Sequence, residues 1–276
     1  MNKILSKRKL AENIIEYIFD APKVVRHAKA GQFVILRVDE KGERVPFSIC
    51  DIDTQKGTLT LLIQTLGATT MKLAKLEEGD SVSDITGPLG TASHLDVYSN
   101  PVLVGGGIGC ADIYPQAKMF KELNKPCDVI IGARKKDLIL YENEFRAVAK
   151  NLYLTTDDGS YIRKGFVTDV LKELIEQDKN YDVVLAVGPV PMMKAVCNLT
   201  KNYNLKTIVS MNSLMVDGTG MCGCCRVTVD GVTKYACVDG PEFDGHQIDW
   251  EEAINRSKIY KGYEAEHVCR LTGEKR

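Results

Sequence analysis

Long hydrophobic runs are missing from this sequence. The longest, such as Val183 to Val187, are strand-sized and far short of the roughly 20 residues that a membrane helix needs. An excess of one charge is missing too. Lys and Arg number 36 against 37 Asp and Glu, interleaved throughout, for a net charge of −1. That balance supplies no attraction to nucleic acid or to an anionic membrane. The opening stretch, MNKILSKRKLAENIIEY, has neither an apolar segment nor a small-residue cleavage site, so the expected compartment is the cytoplasm. No internal repeat or low-complexity stretch is visible. Histidine is scarce, at four residues, and these read as surface or packing residues.

What is present suits a globular protein with a full core: 276 residues, 44% hydrophobic and 26% charged. That length fits two domains with an appendage. Nine cysteines without an export signal read as metal ligands or redox groups rather than as disulfides.

The first stretch, residues 1–98, is β-rich. GQFVILRV and GTLTLLIQTL are branched, apolar and bounded by turn residues, and GATTMKLAKLE between such strands is the one evident helix. Six or so short strands with one helix predict a small antiparallel barrel. From residue 99 to about 210 the rhythm changes. PVLVGG, CDVIIGAR, NLYLTTDDG and YDVVLAVGP read as buried strands, with helical patterns such as KGFVTDVLKELIEQ and PMMKAVCNLTKNY among them. That alternation predicts a parallel sheet of the α/β type. Residues 211–245 follow neither pattern and hold four of the nine cysteines. A polar, partly helical tail occupies 246–276, and its Trp250, Ile254, Ile259, Tyr260, Tyr263 and Val268 are expected to pack on a partner or on the chain's own domains.

Three motifs carry chemistry. VGGGIG (Val104 to Gly109) leaves a buried strand and opens a helix, so Gly106, Gly107 and Gly109 let backbone N–H groups approach a pyrophosphate. A true dinucleotide fingerprint would need its last glycine at Cys110, and glycine turns after strands are also common for structural reasons alone. Gly188 and Pro189 form a second turn at a strand's carboxyl end, where ligands of open α/β sheets bind. Asp157 and Asp158, after the third strand, would hydrogen-bond a free ribose 2′-hydroxyl and repel a 2′-phosphate, which favours NAD over NADP; a solvated acidic turn is the alternative.

The second motif is ERVPFSI, where Pro46 and Phe47 present a flat surface to a planar ring and Ser48 a hydroxyl to a ring nitrogen; a proline-interrupted edge strand reads equally well. Gly67 to Thr70, GATT, opens the barrel helix and could bind a second pyrophosphate or be a plain Thr cap. The third motif is MVDGTGMCGCCRVTV. Cys222, Cys225 and Cys237 fall as C-x2-C-x11-C, and Asp217 precedes them by x4. With a carboxylate in the first cysteine's place, that is the plant-type 2Fe–2S spacing, leaving Cys224 as the spare thiol. Three Cys and one Asp also complete a tetrahedral zinc site, although zinc patterns more usually pair two C-x2-C knuckles.

Together these words resemble the ferredoxin–NADP reductase superfamily. Their order matches the electron-transfer subunit of dihydroorotate dehydrogenase. MVDGTGMCGCCRVTV and YACVDGPEFDGHQIDW look more specifically like the small subunits of NADH-dependent reduced ferredoxin:NADP oxidoreductases, the electron-bifurcating transhydrogenases. The resemblance implies FAD held by Val45, Pro46, Phe47, Ser48, Leu62, Ile63, Gln64, Gly67, Thr69 and Thr70, with NAD(H) on the α/β domain. It also implies a 2Fe–2S cluster on Asp217, Cys222, Cys225 and Cys237. A large flavin and iron–sulfur subunit resembling the glutamate synthase small subunit is the implied partner, with ferredoxin reached through the complex. No general acid or base is implied, because the cofactors carry the chemistry. Two positions depart from the superfamily. Val45 stands where an Arg usually lies, with Arg44 one residue early, and Asp112 replaces the proline common after the glycine loop. A dihydroorotate-type electron-transfer subunit and a zinc-knuckle binding subunit without turnover are the competing expectations.

Overall fold

Alternating burial turns the first third of the chain into an antiparallel barrel, as expected. In this computed structural model, which describes residues 2–177 and 179–273, the strands are β1 (Ile4–Ala11), β2 (Ile14–Asp20), β3 (Phe33–Arg37), β4 (Arg44–Ser48), β5 (Asp51–Asp53), β6 (Thr58–Gln64) and β7 (Asp84–Leu89). They form two sheets, ordered β1-β2-β6-β5 and β4-β3-β7. Leu59, Leu61 and Ile63 recur at the two-residue period of a strand and point into the barrel core with Tyr17, Phe19, Val34 and Leu36. A four-residue helix α1 (Pro22–Val25), not evident in the sequence, accompanies the expected helix, α2, which is confined to Ala68–Leu73. Tyr17 Oη donates to the Leu73 carbonyl at 3.0 Å and fixes α2 to the barrel.

The α/β part runs β8 (Pro101–Gly106), α3 (Cys110–Glu122), β9 (Asp128–Ala133), α4 (Glu142–Val148), β10 (Asn151–Thr156), α5 (Val167–Glu176), β11 (Val183–Val187), α6 (Val190–Lys201) and β12 (Thr207–Ser210). The sheet order is β10-β9-β8-β11-β12-β15, with β15 (Glu242–Asp244) antiparallel at the edge. Sequence reading finds four of these strands. It misses β12, whose apolar run is only Ile208–Val209, and β15, whose place depends on long-range pairing. The order reverses between β8 and β11, so their carboxyl ends flank the crevice where such sheets take ligands.

The cysteine segment is not a separate body. Its hairpin, β13 (Arg226–Val229) and β14 (Val232–Tyr235), turns at Asp230-Gly231, both with positive φ, as a type I′ turn requires. Along β3, Val34 and Leu36 enter the barrel core, while Phe33 and Ile35 face a second core containing Met215, Cys225 and Cys237 together with β8 and β11 residues. One strand therefore joins the cluster loop to both folds. The tail contributes α7 (Trp250–Arg256), capped by Asp249 accepting from the Glu251 and Glu252 N–H groups, and α8 (Lys261–Thr272). Helix α8 lies on α2, with Val268 buried and His267 Nδ1 3.6 Å from Glu43 Oε1. None of the helices among the described residues is long and apolar enough to cross a membrane.

Candidate functional site

Three glycines shape the cysteine loop. Gly218, Gly220 and Gly223 have φ of +77°, +82° and +66°, and a Cβ on Gly218 would meet Ile35 and Leu89 at 2.7 Å, so the loop is pressed against the barrel. The four expected ligands fall into two pairs. Cys222 Sγ donates to Asp217 Oδ1 at 3.3 Å, and the sulfurs of Cys225 and Cys237 lie 3.1 Å apart. Among the described residues, no three His, Cys, Asp or Glu side chains converge on one metal-ion position. Two donor pairs suit a two-iron cluster, each iron taking one pair, better than a single tetrahedral zinc.

The pairs differ in setting. Cys225 and Cys237 are buried, while Cys222 is exposed and Asp217 half-buried. Hydrogen bonds, first from the Thr219 N–H, hold the Asp217 carboxyl down to about 2, so it is ionised and ready to ligate. The Cys222 thiol is lowered, first by the Cys224 N–H, and burial pushes Cys237 up to about 12. Cys224 is partly exposed, its Sγ 4.0 Å from the Cys222 carbonyl. Two arginines from outside the segment brace the loop. Arg44 Nε donates to the Val216 carbonyl at 2.8 Å and its Nη1 lies 3.6 Å from Asp84. Arg256, from α7, donates to the Cys224 carbonyl at 2.8 Å. The early arginine of RVPFS thus anchors the residue before Asp217.

Val45, Pro46, Phe47 and Ser48 are half-buried along β4. Leu62 and Gln64 point away from the barrel core, whereas Ile63 is buried inside it and offers a ligand only its backbone. At α2, the Thr69 hydroxyl donates to Glu43 at 2.6 Å, and Thr70 Oγ1 accepts from the Leu66 and Gly67 N–H groups. Both hydroxyls are engaged, so a ligand here meets backbone. A Cβ on Gly67 would meet nothing within 4 Å, which leaves room for it. The barrel thus offers a flat strand and an open turn, a fit for a flavin and its pyrophosphate.

Gly106, Gly107 and Gly109 and the Gly188-Pro189 turn stand together at the β8 and β11 carboxyl ends. A Cβ on Gly109 would strike the Val187 carbonyl, whereas Gly107, at φ +55°, has open space above it. Packing thus demands one glycine, and another leaves its backbone accessible to a phosphate. Asp157 and Asp158 are exposed beyond β10, tied through their N–H groups to the Ala133 and Arg134 carbonyls at 3.0 and 3.3 Å. The Ser160 hydroxyl lowers the Asp158 carboxyl.

Where barrel, sheet and cluster segment meet lies a polar cluster that sequence reading does not assemble. Asp112, in the first turn of α3, faces Ser48 at the end of β4. Glu242, on β15, accepts from Ser93 Oγ at 2.9 Å and from Gln116 Nε2 at 3.1 Å. Both carboxyls are half-buried; desolvation pushes Asp112 up to about 6, with Ser48 opposing and Glu242 adding to the rise, and desolvation raises Glu242 as well. The unusual residue at 112 is visible in the sequence, but its partners are not.

Family models match three consecutive stretches: an oxidoreductase FAD-binding domain over residues 2–94, an oxidoreductase NAD-binding domain over 103–198, and the iron–sulfur cluster binding domain of dihydroorotate dehydrogenase B over 212–249. The chain is 42% identical over 277 residues to a Thermotoga maritima homolog of the dihydroorotate dehydrogenase B (NAD(+)) electron transfer subunit, covering 99% of this chain and 98% of the relative. It is 34% identical over 255 residues to that electron transfer subunit from Geobacillus thermodenitrificans, covering 89% and 96%. Among solved structures, one describing flavin-based electron bifurcation by NADH-dependent reduced ferredoxin-NADP oxidoreductase superposes with a TM-score of 0.93, at 41% identity and 98% coverage of both chains.

Proposed function

The chain belongs to the family of dihydroorotate dehydrogenase B electron-transfer subunits and their homologues, and from that premise we propose that it serves an NADH-dependent ferredoxin:NADP oxidoreductase complex. It is an oxidoreductase that passes electrons between NAD(H), FAD and a 2Fe–2S cluster. The pairing of Asp217 with Cys222 opposite Cys225 with Cys237 carries the proposal, because it gives a dinuclear site with a carboxylate among its donors. When bound, the flavin supplies the exchange of a two-electron hydride for single electrons.

The chain's own residues orient these groups. Gly106, Gly107 and Gly109 hold the nicotinamide dinucleotide's phosphates, and Gly188-Pro189 borders its crevice. Val45 to Ser48 and the Gly67 turn hold the flavin. Arg44 fixes the cluster loop to the flavin strand, so the two centres sit on one rigid piece of barrel. Cys222 and Asp217 lie on the solvent side, and Leu214, Val216, Met221 and Val238 around them are exposed apolar residues. That rim suits docking of a large flavin and iron–sulfur subunit, through which ferredoxin is reached. The chain's nine cysteines, none of them in a disulfide among the described residues, suit the cytoplasm.

The test is anaerobic purification, with and without its partner. Flavin and iron–sulfur absorption, two irons per chain and bleaching by NADH are expected. A colourless, zinc-containing chain would sink the proposal, and co-purification with a dihydroorotate-oxidising subunit would move it to that complex.

A further inference from the structure

We propose that Glu16, Tyr141, Tyr114 and Lys118 form a clamp between barrel and sheet, and that as positioning residues they set the nicotinamide ring at hydride-transfer distance from the flavin. This rests on the reading above and extends it to residues outside both cofactor sites. Hydride transfer needs the reacting atoms held about 3–3.5 Å apart, and a misplacement of about 1 Å can cost about 100-fold in rate. The residues we read as holding the two groups lie on different folds, the flavin strand β4 on the barrel and the glycine loop on the α/β sheet. Domains packed within one chain move relative to one another unless their interface fixes them. Whatever fixes them here governs the approach of the two rings.

A continuous band of contacts crosses that boundary. Glu16, on β2, is only 7% exposed, and its carboxylate takes a forked pair of hydrogen bonds from Arg8 Nε and Nη2, both 2.9 Å. From the other side, the hydroxyl of Tyr141, the residue before α4, donates to the same carboxylate, and Glu144 of α4 lies 3.6 Å from Arg8. The Tyr141 ring packs edge-on against Tyr114 of α3, with centroids 5.3 Å apart. One turn further along α3, Lys118 Nζ lies 5.9 Å from the Tyr114 ring centroid and donates to Asp51 of β5, back on the barrel. Apolar packing seals the same face, where Ile14, Cys50 and Leu62 of the barrel share a core with Ile113 and Phe120 of α3 and Phe145 of α4.

Two features suit this band to holding position. A carboxylate so buried is costly to leave unpaired, so the two folds slide only by breaking a charged hydrogen bond. Tyr141 has a φ of +57°, in the left-handed region that a bulky side chain rarely adopts, and such strain persists where surrounding contacts impose it. Burial pushes its phenol up, so it stays a donor. The band also leads directly to both cofactor sites. Helix α3 opens straight after Gly107–Gly109, and Asp51 follows Ser48 of the flavin strand by three residues. A shift at the clamp therefore reaches the glycine loop along one helix.

The experiment uses the FAD- and cluster-loaded chain, mixed anaerobically with a range of NADH concentrations in stopped flow. Tyr141→Phe removes one hydroxyl and keeps the ring, and Lys118→Met removes the cation and keeps the stem. Together they should lower the limiting rate of flavin reduction by about tenfold or more, while the NADH dissociation constant stays within about twofold. The long-wavelength charge-transfer absorbance of reduced flavin with NAD+, an equilibrium readout of ring stacking, should weaken in parallel. Lys118→Arg, which keeps a cation for Asp51, should recover what Lys118→Met loses. Should the double variant lose FAD or fail to fold, Tyr141→Phe alone carries the test, with a limiting rate about threefold lower and a weaker band expected. A rate and a band both unchanged, even with a lower melting temperature, overturn the inference and leave the clamp a purely structural contact. An NADH affinity that falls by the same factor as the rate also overturns it, because the residues then act on binding. A wild-type chain that binds FAD but is not reduced by NADH overturns the functional reading and this inference with it.

Discussion

At the scale of single residues, Asp217 separates a two-iron site from its alternatives. Its carboxylate donates less charge than a thiolate, so the cluster potential should follow the ligand. Asp217→Cys is expected to retain a 2Fe–2S cluster with a shifted potential, and Asp217→Ala to lower iron content or alter the EPR signal. If Asp217→Ala leaves content, signal and potential all unchanged, Asp217 is not a ligand. Cys225→Ser should cost the cluster, whereas Cys224→Ser should be nearly silent. Asp112 gives a second prediction, read on the cofactor-free fold. Its pKa is raised from 3.8 to about 6, so its protonation favours the folded state. That contribution is complete below the unfolded pKa and is lost as pH rises through about 6. Asp112→Asn should therefore raise the melting temperature by a few degrees at pH 8 and by less at pH 4. Equal shifts at both values would show that the carboxyl is not strained. The spacing of Asp217, Cys222, Cys225 and Cys237 is local and legible in the sequence. The role of Arg44 is not, because its acceptor, Val216, is 172 residues away.

At the scale of elements, strand periodicity and glycine turns made the barrel and the βα rhythm legible before any coordinates. Short strands carry too little pattern, which is why β12 and β15 depend on their neighbours to be seen. The carboxyl end of β10 carries the nucleotide preference we propose. Asp157 and Asp158 are exposed there, and we propose that their carboxylates meet the nucleotide's ribose edge. Asp157→Ser with Asp158→Arg should raise NADPH-driven flavin reduction relative to NADH by about tenfold or more, as a phosphate gains a cation and loses two anions. Wild type reduced equally fast by both nucleotides would refute the preference. The loop after β8 gives the next prediction. A Cβ at Gly109 collides with the backbone of Val187 rather than with a movable side chain. Gly109→Ala should lower NADH affinity and stability together, measurable by nucleotide titration and thermal melting. Gly107→Ala should be milder in space but strained at φ +55°.

At the scale of the whole molecule, the tail braces the cysteine loop and α2, and we propose that it also meets the partner subunit. Its apolar and aromatic residues read as packing on either the chain itself or a second protein, and the structure shows the first of these at α7 and at Val268 of α8. Arg256 of α7 holds the cluster loop, and α8 lies on α2 beside Glu43, whose carboxylate takes the Thr69 hydroxyl. One side of the tail therefore supports the helix that we propose holds the flavin's pyrophosphate. The other leaves Ile259 54%, Tyr260 49% and Tyr263 73% exposed, and interfaces favour such aromatics. Removing residues 258–276 strips both roles at once, so it should release FAD on gel filtration and also weaken the complex. Tyr260→Ser with Tyr263→Ser separates them. That double variant should keep FAD, iron and NADH-to-dye activity at wild-type levels while losing assembly with the large subunit and, with it, ferredoxin-coupled NADP reduction. If it assembles normally, the large subunit docks elsewhere, and the apolar rim of Leu214, Val216, Met221 and Val238 around the cluster is the surface to substitute next.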